Sequence, residues 1–86
     1  MKTVALSDIF HAAYVFARRN RLVKVDDSRP WQVEFHFPIT AQPDVNAYLE
    51  GGMIEARLYA AALRDLRAIV ARARRGEGRE VSNDAS

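Results

Sequence analysis

Apolar and polar residues alternate without a break over residues 31–37. Trp31, Val33, Phe35 and Phe37 fall on one side, and Gln32, Glu34 and His36 on the other. Successive strand side chains point to opposite faces, so the pattern predicts a strand in a sheet covered on one face only. The three rings and Val33 are expected in the core, as the largest apolar mass the chain can bury together. Residues 22–25, rich in β-branched side chains, predict a second strand. Between the two lies Asp26-Asp27-Ser28-Arg29-Pro30, which is turn chemistry. A short polar loop between two strands makes an antiparallel hairpin, with Val23 and Val25 on the side of Val33 and Phe35. Residues 3–6 read as an edge strand or as a lead-in to the first helix. Pro38 cannot donate to a ladder and marks a strand end or an edge.

Elsewhere the period changes. Ser7 is the expected N-cap of a first helix over residues 9–19, with Asp8 in its first turn, where the helix dipole favours negative charge. Ile9, Phe10, Ala13, Phe16 and Ala17 recur at three- and four-residue spacing and form its apolar stripe. Arg18 and Arg19 fall at its end, and Asn20 is the expected left-handed C-cap. Pro43-Asp44 starts a short helix that carries Val45, Tyr48 and Leu49 inward. Gly51-Gly52 breaks it, because the pair takes positive φ at little cost. The longest helix is predicted from Met53 or Ile54 to about Arg75, with Ile54, Leu58, Ala62, Leu66, Ile69 and Val70 as its stripe, flanked by Tyr59, Leu63 and Ala73. Gly76 stops it, and residues 76–86 read as a disordered polar tail with Val81 alone apolar.

Together these elements predict an α+β domain over residues 1–75. A small antiparallel sheet of two or three strands has the two main helices packed on one face, with one further short helix.

Composition narrows the function classes. At 86 residues the chain is one small domain with a thin stability margin. It has no cysteine, so disulfides and thiolate metal sites are excluded. The apolar run at the N-terminus is too short for a secretory leader, and no stretch approaches the ~20 apolar residues of a membrane span. The expectation is a cytoplasmic protein. Net charge is only +2, but eleven of the thirteen bases are Arg and only Lys2 and Lys24 are Lys. Arg suits bidentate phosphate or carboxylate contacts, and it is also what a GC-rich genome supplies.

No catalytic constellation stands out. His36 lies two residues from Glu34 on the polar side of the strand. One strand supplies at most two metal ligands, and neither Cys nor a further His completes a set, so no metal or cofactor is expected. His11 is expected near the exposed side of the first helix. Ser7, Ser28, Ser82 and Ser86 have no base that the sequence places beside them. The glycine pair lacks the lysine of a phosphate loop. Two readings remain. In the first, the polar sheet face (Gln32, Glu34, His36) and the rings of Tyr48 and Tyr59, with Tyr14, contact another protein or a second copy of the chain. In the second, Arg18, Arg19 and Arg21 join Arg72, Arg74 and Arg75, with Arg79 beyond, in a patch for nucleic acid, provided that the two helix ends lie close.

The layout resembles a family of small bacterial and phage proteins grouped as a domain of unknown function. The matching parts are Ser7-Asp8 before Ala12-Ala13, then Leu22-Val23-Lys24-Val25, the alternating strand, Tyr48-Leu49-Glu50-Gly51, and Ala62-Leu63-Arg64-Asp65-Leu66-Arg67. They span roughly residues 3 to 72. The N-terminal segment is less aromatic than the family's, and the basic stretch after Arg72 is an addition. The resemblance implies a β-α-β-β-α chain in a phage or mobile-element setting, and it carries over no catalytic residues. The expected function is therefore a non-catalytic binding domain acting on a protein, with nucleic-acid binding as the alternative.

Overall fold

The computed structural model describes residues 2–29 and 31–75. The elements run β1 (Thr3–Leu6), α1 (Ile9–Ala17), β2 (Lys24–Arg29), β3 (Gln32–Pro38), a 3₁₀ turn (Ile39–Ala41), α2 (Gln42–Leu49) and α3 (Ala56–Arg74). The sheet has strand order β1-β3-β2, and both pairings are antiparallel. This is the expected α+β architecture, with β1 realised as an edge strand and the alternating segment in the centre. Phe35 sits opposite Leu6 on one side and Val25 on the other, so one apolar row crosses all three strands. Phe35, Phe37, Leu66 and Val15 are the largest fully enclosed side chains, and they join the sheet to α1 and α3.

Trp31 departs from expectation. It lies in the turn before β3 and is 76% exposed. The alternation runs one step past the end of pairing: Gln32 is matched with Arg29, so Trp31 belongs to the hairpin loop. Phe35 and Phe37 are enclosed as expected, and Val33 is partly buried against them.

β2 also differs, running from Lys24 to Arg29 through residues that read as a turn. Asp26 still behaves as a turn former, since its carboxylate accepts a hydrogen bond of 3.0 Å from the Ser28 amide. The outcome is a register shift between Asp26 and Arg29 within the ladder, not the loop itself. Pro30 lies outside the described residues.

α1 is capped by Asp8, not Ser7. The Asp8 carboxylate accepts from the Phe10 amide at 2.9 Å, and the helix runs only to Ala17. Its expected stripe is too narrow. His11, Ala12, Ala13, Tyr14 and Val15 are all buried, while Phe10 is half-exposed. A helix that touches the sheet, α2 and α3 at once is covered on several sides, and a single stripe does not describe it. At its end Arg19, not Asn20, takes the left-handed conformation, with φ +70°. The Asn20 side-chain amide donates to the Val15 carbonyl at 2.8 Å and to the Asp44 carboxylate at 2.8 Å. Arg18 reaches the same carboxylate at 3.2 Å, so Asp44 ties the end of α1 to the first turn of α2.

α2 begins at Gln42, with Pro43 in the first turn. Val45 is buried, but Leu49 points outward. Gly51 has φ +84°, and Gly52 is needed for close approach. A Cβ on Gly52 would collide with the Tyr14 hydroxyl and lie 2.8 Å from the Ala47 carbonyl oxygen. α3 starts at Ala56, later than its pattern suggests, and buries Ala62 and Leu66 most fully. Leu58, expected in the stripe, is half-exposed. α1 and α3 run antiparallel. Ile9 shares a groove with Val70 and Arg74, and Ala17 shares another with Ile54 and Leu58. The tail predicted over residues 76–86 lies outside the described residues, as do Gly76, Arg79 and Val81 within it.

Candidate functional site

Two surfaces carry the residues singled out by the sequence, and they belong to different layers. The first lies among the helices. His11 is buried there, contrary to its expected exposure. Its Nε2 is 3.0 Å from the Val45 carbonyl oxygen, and its ring stacks on Tyr48 with centroids 4.4 Å apart and planes 20° apart. Tyr14 packs tilted against Tyr48 at 5.5 Å. The Tyr59 hydroxyl donates to the Phe10 carbonyl at 3.2 Å. Burial pushes the Tyr59 phenol above its ordinary value, with lesser contributions from Tyr48 and Asp8. Each of the three tyrosines thus has a ring or hydrogen-bond partner.

Tyr14, Tyr48 and Tyr59 line a groove of about 470 Å³, completed by Gly51, Gly52, Met53, Ile54 and Ala56. Leu49 is 71% exposed, Met53 86% and Leu58 50%, and of these three Met53 lines the groove. Scattered exposed apolar residues are ordinary, but Met53 lies on the groove itself and Leu58 shares the next depression with it, so these two form a patch. Met53 also borders an adjoining depression with Arg18, Arg19 and Leu58. The sequence placed Leu58 inside, so it could not find this rim.

The second surface is the outer face of the sheet. Gln32, Glu34 and His36 sit there as the alternation predicts, partly buried by their neighbours. They are not continuous with Tyr48 and Tyr59, which lie on the helical side. Register brings Asp26 of β2 directly opposite Glu34, and Lys24 opposite His36. His36 Nε2 is 3.4 Å from the Glu34 carboxylate, without the alignment of a hydrogen bond, and is itself sealed from solvent. Its Nδ1 is 3.4 Å from the Thr3 hydroxyl on β1. The Asp26 carboxyl is held below the ordinary carboxylate range, first by the Ser28 amide, then by the Ser28 hydroxyl, with Lys24 and His36 contributing charge. Asp26 was read as a turn residue. Its parity with Lys24 would have signalled a shared face only if the strand had been extended through it.

The arginines do not converge. Arg18 and Arg19 stand at the end of α1 beside the start of α3, whereas Arg74 lies beside Ser7 and Trp31 at the other end of α3. A helix of 19 residues separates them, which is about 28 Å at 1.5 Å per residue. Arg72 faces a third depression next to β2, and Arg21 is exposed on the connection before it. Arg18 is committed in part to Asp44. The condition for one joint patch, that the two helix ends lie close, is not met.

The class that the coordinates define is a small α+β domain with a three-stranded antiparallel sheet and helices on one face. Among the described residues, no helix is long and apolar enough to cross a membrane. Comparisons with protein-family models, curated proteins and solved structures found no match.

Proposed function

We propose that this chain is a non-catalytic protein-binding domain. Its contact surface is the tyrosine-lined groove and the Met53–Leu58 rim. The observation that carries this reading is the exposure of that rim beside a groove whose rings are packed against partners. Rings held by His11, Phe10 and each other lose little freedom on binding, which favours contact at low entropic cost. The groove has room for one or two apolar side chains of a partner, and the exposed methionine can adapt to their shape. A bacterial, phage or mobile-element accessory protein, as the resemblance implies, fits a domain of this kind.

The test is capture from the native host with the wild-type chain and with Met53→Glu, each with and without nuclease. The expected result is a protein partner that survives nuclease and is lost with Met53→Glu. Partners removed by digestion, or retained equally by the variant, would overturn the reading. Light scattering across a dilution series distinguishes a second copy of the chain from a different partner.

A further inference from the structure

Two strands of the sheet bring three metal-ligating side chains to one spot. Glu34 and His36 alternate on β3, and the β2 register sets Asp26 across from Glu34. One donor atom from each of the three lies within 4.8 Å of the others. Bonds of about 2.0–2.2 Å to zinc call for donors within roughly 4 Å of one another, so modest side-chain rotation brings these three into range.

The histidine distinguishes this cluster from a solvated acidic patch. His36 Nε2 is a polar atom shielded from water and has no hydrogen-bond partner. Such an atom costs free energy unless something binds it. The contact between the Thr3 hydroxyl and Nδ1 is the outer-shell partner a metal-binding imidazole needs. In the tautomer whose Nδ1 proton is donated to Thr3, the Nε2 lone pair faces Glu34 and is free for a metal. The Ser28 amide orients the Asp26 carboxylate from its other side. A shallow cavity of about 70 Å³ opens between Asp26 and Glu34, bordered by Ser28, Arg29 and Gln32, and gives water access to the two carboxylates. The Lys24 ammonium, across from His36, opposes a cation. It sits on a flexible, exposed stem that can swing into solvent.

We propose that Asp26, Glu34 and His36 bind one divalent transition-metal ion on the outer face of the sheet. One imidazole nitrogen and two carboxylates suit zinc or a neighbouring first-row ion better than magnesium, which prefers oxygen ligands alone. Three protein ligands leave a position for water or for a donor from another molecule. This site is separate from the tyrosine groove, and neither proposal depends on the other.

Calorimetric titration of the full chain with zinc, and in parallel with magnesium, tests it. Imidazole nitrogen NMR records which histidine responds. The expected result is one zinc ion per chain, a shift confined to His36 Nε2, and weaker or undetectable magnesium binding. His36→Ala, Asp26→Asn and Glu34→Gln, checked for folding by circular dichroism, each weaken zinc by more than about tenfold, since loss of an outer-shell partner alone costs about that much. No zinc binding by the folded wild-type chain would overturn the proposal. So would binding that moves His11, or that survives all three substitutions as adventitious surface binding.

Discussion

Phe35 and His36 are neighbours on β3, yet they face opposite environments. Phe35 points into the helical layer, where it is 2% exposed and meets Leu6 and Val25 across the sheet. His36 points out onto the opposite face, which no helix among the described residues covers, with one ring nitrogen near Thr3 and the other without a hydrogen bond. On the helical side the buried His11 has both a carbonyl and a stacking partner. The outer side leaves a polar atom unsatisfied. Stability therefore resides on one side of the sheet, and unused chemistry on the other and at the groove rim.

The largest effect expected from this contrast is on the inner side. Phe35→Ala should cost about 3–5 kcal/mol, the usual range for a core phenylalanine. In a domain with a total of roughly 5–15 kcal/mol, that is a large share, and denaturant unfolding would record it. Next comes His11→Ala, which removes a buried hydrogen bond to the Val45 carbonyl and opens a space beside Tyr48. The carbonyl keeps its helical bond within α2, so the lost hydrogen bond itself costs about 0.5–1.5 kcal/mol. Trp31→Ala should change stability by less than about 0.5 kcal/mol, as for other surface positions, although its sequence pattern reads as core. A large loss would return Trp31 to the inner set.

The smallest effect is on titration. Tyr59 has its folded pKa raised above the ordinary 10.0, so the neutral phenol is favoured in the folded chain. That contribution is fully present below pH ~10 and is lost as pH rises through the folded value. The tyrosinate absorbance of the wild type should contain a component titrating above pH 10.0 that is missing from Tyr59→Phe. An ordinary midpoint would mean that its ring is more open than the Phe10 contact implies.

Much of the fold was legible because period-two and period-3.6 patterns report which face is covered. The hairpin, the central strand, three helices and the break at Gly51-Gly52 all follow from spacing and turn chemistry. What escaped depends on contacts between distant parts of the chain. Trp31 continues the alternation, but pairing stops at Gln32. His11 and Tyr14 are covered because α2 folds over α1, and the stripe of α1 holds no record of that. Leu49 and Leu58 obey helical periodicity and yet sit near helix ends, where cover runs out. The third member of the His36 cluster was hidden for another reason. Asp26 makes the local bond of a turn residue while remaining in the ladder, and only register places it opposite Glu34.

The most direct test of this division is a pair of unfolding curves in metal-free buffer, Phe35→Ala against His36→Ala. The account predicts a loss of about 3–5 kcal/mol for the first and under about 1 kcal/mol for the second, within the span of strand propensity. Equal losses, or a larger loss at His36, would contradict it.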